Sequence, residues 1–191
     1  MSQTVIRGGS YLWIRRLTRS SLLLAMALVL PFFTGQLREI GKMLCPMHIP
    51  ILLCGYLCGW GWGLATGLLA PLLRSLLFSM PPMANAFPMA VELAAYGLMT
   101  GLLHRRLPKK PGFIYVSLLT AMVTGRVIWG LVQFALSGLR GTTFTLELFL
   151  AGSVTNAIPG IALQLVLVPI LVMVLEGRRS GSRSGIICDR K

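Results

Sequence analysis

The sequence predicts an all-α membrane protein built from six transmembrane helices. Hydrophobic residues make up 55% of the 191 residues and charged residues only 12%, whereas soluble proteins carry about 25% charged residues. Several apolar runs approach the roughly 20 residues that a helix needs to cross a bilayer. Basic residues gather at the ends of these runs instead of interrupting them. Composition and pattern together therefore favour a bundle of membrane helices.

The first three apolar segments follow each other closely. The first covers about 18–33, the second 47–60 and the third 62–78. The second and third are short for a bilayer, and a glycine-rich junction at 59–63 predicts a tight turn between them. We therefore interpret the second and third segments as a helical hairpin packed inside the protein.

The last three segments are longer, at about 86–107, 113–136 and 146–175. They complete a membrane domain over 18–176. A basic segment, 1–17, precedes this domain, and a Ser/Gly/Arg-rich tail, 177–191, follows it. A tail of this composition buries little apolar surface, so we expect it to be disordered.

The positive charge predicts the orientation of the bundle. The net charge is +13, and the basic clusters lie before the first segment, in the connector at 105–110 and in the tail. The positive-inside rule then places both termini in the cytoplasm. Basic chains also bind nucleic acid, but clusters at membrane ends indicate topology and contact with membrane lipid. We expect no nucleic-acid partner.

Ionisable side chains within the apolar segments are the candidates for function, because they are costly in hydrocarbon and usually mark a polar pathway or pocket. Arg74 lies near the outer end of the third segment, Glu92 lies in the fourth, and Arg126 lies near the middle of the fifth. Gln133 and Asn156 fall in the outer half with Arg74 and Glu92. These side chains are predicted to converge on one cavity that opens outward.

Two interpretations of the charged set remain open. Arg74 and Glu92 pair with each other and only hold helices together, or they line a ligand site. Two arginines against one glutamate leave one cation without a carboxylate, and a guanidinium fork suits a carboxylate or phosphate. This excess indicates an anionic ligand, completed by Arg126. Gln133 and Asn156 equally suit hydrogen bonding between helices.

Two ring side chains extend the candidate site. Trp129 lies beside Arg126 and is suited to stack on a ring-shaped ligand or on the guanidinium, with core packing as the alternative. His48 opens the second segment next to the first outer loop, where it is expected to form a hydrogen bond to the loop or to a ligand. A lone histidine is not a metal site.

Catalytic and cofactor motifs are not found in the sequence. It has no His-Glu-x-x-His motif, no phosphate-binding lysine loop and only five acidic residues. Cys54 and Cys58 are two thiols one helical turn apart, fewer ligands than a metal site needs. The sequence therefore predicts neither enzyme activity nor a metal or cofactor, and active transport would draw energy from a partner chain.

The chain resembles the substrate-binding subunits (S components) of energy-coupling factor (ECF) vitamin transporters from Arg16 to Gly177. The resemblance is carried by short motifs that occur in the same order. They are Leu30-Pro31-Phe32, Thr34-Gly35-Gln36, Gly41-Lys42-Met43-Leu44, Pro46-Met47-His48-Ile49-Pro50, Leu53-Cys54-Gly55, Cys58-Gly59-Trp60, Pro71-Leu72-Leu73-Arg74-Ser75, Met80-Pro81-Pro82 and Glu92-Leu93-Ala94-Ala95-Tyr96-Gly97.

The resemblance implies a subunit that captures a vitamin from outside with high affinity. Such a subunit docks on a transmembrane coupling subunit that carries two ATPase subunits, and it topples in the membrane to release the vitamin inward. The family docks through small residues on the first helix, to which Ser21, Ala25 and Ala27 correspond, although the bulky Leu24 lies between them. Within the family, the sequence is similar to S components for pantothenate or pyridoxine-like compounds. The excess arginine favours the carboxylate of pantothenate.

Two other functions compete with this interpretation. One is a small-solute transporter or channel that works alone as an oligomer. The other is a membrane enzyme acting on lipid, which the lack of acid–base pairs disfavours.

Overall fold

The structure is a computed structural model that describes residues 3–33, 46–108, 111–140 and 158–187. Six α-helices account for nearly all of these residues, and no strand occurs among them. In chain order they are α1 Gln3–Phe33, α2 His48–Cys58, α3 Trp60–Phe78, α4 Met83–Arg106, α5 Pro111–Arg140 and α6 Ile158–Ile187. The predicted all-α membrane fold is confirmed.

The outer helices extend beyond the predicted apolar segments. Helix α1 begins at Gln3, within the segment assigned to a basic N-terminal region, and α6 continues to Ile187, where the sequence predicted a disordered tail from 177 onward. Arginine is a good helix former, and backbone groups outside the hydrocarbon are hydrated, so a helix does not have to end at the membrane surface.

Helix α2 is the centre of the bundle. Ten of its 11 residues are buried, and it packs against α1, α3, α4 and α6. The predicted interior packing is therefore correct for α2. It is wrong for α3, which is long and apolar enough to cross a membrane and exposes an apolar face including Leu69, Leu76 and Leu77.

Two further membrane-length apolar helices lie among the described residues. They are Met83–Arg106, which is α4, and Gly112–Gly138 within α5. Helix α2 and Gly160–Leu175 within α6 are shorter apolar helices. Helix α4 packs against α2, α3 and α5, and most of its middle is buried, including Leu93 and Tyr96. A polar side chain in the middle of α4 is therefore enclosed by protein.

A seam of glycines brings α2, α3 and α4 close together. We use the name glycine seam for Gly55 on α2, Gly63 and Gly67 on α3, and Gly97 and Gly101 on α4. A Cβ added at Gly63 would lie 2.5 Å from the Gly97 carbonyl oxygen and 2.9 Å from the Gly55 Cα.

The four glycines on α3 and α4 form two Gly-x-x-x-Gly motifs whose backbones touch. Such motifs let membrane helices approach closely and gain van der Waals contact. The turn predicted over Gly59, Gly61 and Gly63 is made by Gly59 alone, at φ 101°, and the other two lie within α3.

Candidate functional site

A carboxylate lies at the centre of the bundle. Glu92 is in the middle of α4 and is only 3% exposed. A charge in such a position is strongly disfavoured unless it is paired and hydrogen-bonded. Three polar side chains from three helices lie close to the same oxygen, Glu92 Oε1: Tyr96, Arg126 and His48. We call Glu92 and these three residues the Glu92 cluster.

Tyr96 holds the carboxylate from within the same helix. Its hydroxyl donates a hydrogen bond of 2.8 Å to Glu92 Oε1, one turn earlier on α4. The Tyr96 ring is buried and lies over Gly125 of α5, where an added Cβ would come within 2.6 Å of the ring carbon Cδ1. The absence of a side chain at Gly125 therefore makes room for the tyrosine that orients Glu92.

Arg126 supplies the opposite charge from α5. Its Nη1 lies 3.1 Å from Glu92 Oε1, and its side chain is 18% exposed, so the ion pair is largely shielded from solvent. The alternative that Arg74 and Glu92 pair with each other is wrong. Within the described residues Glu92 forms its ion pair with Arg126, and Arg74 has other partners.

His48 completes the cluster from the first residue of α2. It is 2% exposed, and neither Nδ1 nor Nε2 has a hydrogen-bond partner within the described part of the chain. Its Nε2 lies 4.0 Å from Glu92 Oε1, which is too long for a hydrogen bond. Both His48 nitrogens are therefore unsatisfied within the described residues. The ring lies 5.3 Å from the Tyr96 ring.

Arg74 lies at a different junction, between α3 and the end of α1. Its Nη1 donates a hydrogen bond of 2.8 Å to the Leu28 carbonyl oxygen. Its guanidinium carbon lies 5.2 Å from the centre of the Phe32 ring and 6.0 Å from that of Phe78. The two rings contact each other edge to face at 4.8 Å. These contacts attach α1 to α3, so Arg74 holds helices together, but through α1 and not through the predicted pairing with Glu92.

The remaining predicted site residues lie partly on α5 and partly outside the described residues. Trp129 follows Arg126 by three residues and Gln133 by seven, so all three lie on one face of α5, and each is partly buried. Asn156 lies outside the described residues. Trp129 and Gln133 therefore continue the face of α5 that carries Arg126, which is a member of the Glu92 cluster.

The small residues of α1 do not share one environment. Ser21 and Ala25 are exposed and lie one turn apart on the same face. Ala27 is fully buried inside the bundle. Since a helix turns by about 100° per residue, Ala27 points away from the face that Ser21 and Ala25 share. A docking surface that includes all three residues does not fit this geometry, whereas one formed by Ser21 and Ala25 does.

Tyr96 and the glycine seam were missed in the sequence analysis, although both have a recognisable pattern. Tyr96 follows Glu92 at a spacing of four residues, the distance at which helical side chains meet. The seam is visible as two Gly-x-x-x-Gly motifs. The described residues contain no group of three or more His, Cys, Asp or Glu side chains placed to hold a metal.

Comparison with known proteins identifies one related family. The family model described as ECF transporter, substrate-specific component, matches residues 15–172, which is well over half of the chain. No curated protein and no solved structure matches the chain at a significant level. The matched region includes the whole Glu92 cluster and the exposed small residues of α1.

Proposed function

Because the chain belongs to the family of ECF transporter substrate-specific components, we propose that it is the high-affinity substrate-binding subunit of an ATP-driven importer. The cargo is a small water-soluble vitamin. The subunit lies in the plasma membrane of a prokaryote as a multi-pass protein with both termini in the cytoplasm. It binds its cargo without chemical change, and energy comes from two ATPase subunits attached to a transmembrane coupling subunit.

The observation that carries this proposal is the buried, incompletely satisfied Glu92 cluster. A bundle needs no charged residue to pack α2, α4 and α5, since apolar side chains of similar volume pack at least as stably. Here a carboxylate, a guanidinium and an unsatisfied imidazole meet at one point. Polar side chains that converge inside a membrane domain are suited to hold a polar ligand.

Pantothenate is the favoured cargo, and a pyridoxine-like compound is the second candidate. Among the described side chains in the bundle interior, Arg74 and Arg126 contribute two guanidiniums and Glu92 one carboxylate. Arg126 is paired with Glu92, so the guanidinium of Arg74 is the one without a carboxylate there, and it favours a ligand that carries a carboxylate, as pantothenate does. Trp129 and Gln133 extend the proposed site along α5. Arg74 and Asn156 remain proposed ligand contacts, Arg74 in addition to its contact with α1.

Docking on the coupling subunit is assigned to the exposed face of α1. Ser21 and Ala25 leave a shallow groove that another helix can approach closely. Exposed apolar side chains flank this groove, among them Leu22, Met26 and Val29. Ala27 is not part of the proposed docking surface, because it is buried.

Binding and uptake measurements test the proposal together. The purified chain is expected to bind the vitamin alone. Cells or proteoliposomes are expected to accumulate it only when the coupling subunit and both ATPases are present with ATP. Ala25→Trp should abolish uptake and leave binding unchanged, whereas the control Val123→Trp, at an exposed position on α5, should affect neither. Uptake by this chain alone would instead support a self-sufficient transporter.

A further inference from the structure

His48 is the most unusual polar side chain among the described residues. It is almost completely buried, yet both ring nitrogens lack a hydrogen-bond partner there. Buried polar atoms are nearly always hydrogen-bonded, and an unsatisfied one costs on the order of a tenfold change in an equilibrium constant. A buried side chain of this kind is expected to bind a group that lies outside the described residues.

The nearest polar neighbour does not satisfy His48. Glu92 Oε1 is 4.0 Å from Nε2, and it already accepts from Tyr96 at 2.8 Å and faces Arg126 Nη1 at 3.1 Å. The Tyr96 ring lies beside the imidazole without bonding to either nitrogen. The hydrogen-bonding capacity of His48 is thus available, while that of its neighbours is largely used within the cluster.

The chemistry of the cluster limits the group that suits His48. A neutral imidazole presents one donor and one acceptor, and a hydroxyl or an amide can both accept and donate. A carboxylate only accepts, and a carboxylate bound to Nε2 would lie within about 7 Å of the Glu92 carboxylate, given an ordinary hydrogen-bond length. Like charges at that separation inside a protein repel each other, and the Arg126 guanidinium that could offset the repulsion is already paired with Glu92.

We infer that His48 binds an uncharged hydrogen-bonding group of the substrate, a hydroxyl or an amide, and that any carboxylate of the substrate is directed away from the Glu92 cluster. This inference rests on the proposed function, since it requires a bound small molecule. It assigns the orientation of the substrate within the site. In pantothenate the group at His48 is a hydroxyl or the amide, and in pyridoxine it is a hydroxyl.

The test compares two variants and a matched pair of ligands. The full chain is purified in detergent and titrated calorimetrically with pantothenate, with pantothenol, in which a primary alcohol replaces the carboxylate, and with pyridoxine. His48→Leu removes both nitrogens, and His48→Gln retains a donor and an acceptor. We expect His48→Leu to weaken binding of pantothenate and pantothenol by the same factor, on the order of 10- to 100-fold. His48→Gln should retain most of the affinity.

Ligand-free stability distinguishes a binding role from a structural one. Because His48 has no hydrogen-bond partner among the described residues, the thermal midpoint of His48→Leu measured without vitamin should equal or exceed that of the wild type. A marked fall would show that His48 supports the fold and would overturn the inference.

Other outcomes are equally decisive. An unchanged affinity in His48→Leu, or a loss seen with pantothenate but absent with pantothenol, would overturn the inference and leave the proposed function intact. If pyridoxine is the vitamin that binds, the same loss in His48→Leu supports it, since pyridoxine has no carboxylate. A wild-type chain that binds neither vitamin would overturn the proposed cargo and this inference together.

Discussion

Glu92 and Arg126 form an ion pair across the interface of α4 and α5, with 3.1 Å between Oε1 and Nη1. The carboxylate also accepts a hydrogen bond from Tyr96 of its own helix, so one oxygen is held by one donor from α4 and one from α5. The pair lies beside the unsatisfied His48 at the start of α2. The polar part of the proposed site is therefore positioned by the helices that form the core of the bundle.

Removing one member of this pair is predicted to destabilise the protein more than removing both. Arg126→Met leaves Glu92 buried without its counter-charge, which should lower the unfolding free energy by about 3 kcal/mol. The double variant Glu92→Gln with Arg126→Met removes the unpaired charge and should recover a large part of that loss. Denaturant titration of the purified proteins measures both. Equal losses in the single and double variants would show that the pair is not coupled.

The glycine seam is predicted to tolerate no side chain. A methyl group at Gly63 would meet the backbone of Gly97 and Gly55, so α3 and α4 would have to separate. Gly63→Ala should lower the unfolding free energy by about 1–3 kcal/mol, the usual cost of overpacking. Gly61→Ala is a matched control on the same helix, where nothing lies within 4 Å of the added Cβ. A Gly61→Ala effect as large as that of Gly63→Ala would contradict close packing at the seam.

Gly125 is predicted to affect ligand affinity through Tyr96. A Cβ at this position would press against the Tyr96 ring, which is buried and has little room to move. Gly125→Ala should displace the Tyr96 hydroxyl from Glu92 and weaken vitamin binding in calorimetry. The control Gly138→Ala, at an open position on the same helix, should bind as the wild type does. Unchanged affinity in Gly125→Ala would show that the orientation of Tyr96 does not matter to binding.

Arg74 is predicted to contribute mainly to stability. Arg74→Met loses a charge-assisted hydrogen bond to Leu28 and contacts with two aromatic rings, so the unfolding free energy should fall by about 2 kcal/mol. The control Arg105→Met removes an exposed arginine from the last turn of α4 and should change little. If Arg74→Met keeps its stability but loses vitamin affinity, Arg74 is a ligand contact and its role at α1 is minor.

Much of the fold could be predicted because apolar length and charge position are local properties of the sequence. They gave the helical class, the approximate helix positions and the ionisable residues within them. The rotation of each helix about its own axis is not a local property of the sequence, and this rotation decides which side chains meet. Arg74 and Glu92 looked like partners by depth, but α3 directs Arg74 toward α1 while α5 directs Arg126 toward Glu92. The depth of a residue in the membrane does not show whether Glu92 pairs with Arg74 or with Arg126.

The site was only partly predictable for a related reason. Glu92, Arg126 and His48 stood out because polar residues in apolar segments are rare. Tyr96, in contrast, resembled an ordinary core residue. The burial of Ala27 depends on its position around α1 relative to α2 and α3. Small residues along one helix fit both an internal and an external surface, so spacing alone did not separate Ala27 from Ser21 and Ala25.

The most direct test of the account is to identify what the protein carries. The chain is purified in mild detergent without added vitamins, and any bound small molecule is released and identified by mass spectrometry. The account predicts a water-soluble vitamin, with pantothenate favoured, at close to one molecule per chain. A protein that is empty, and that shows no thermal shift with a panel of water-soluble vitamins, would contradict the claim that this chain is a vitamin-binding subunit.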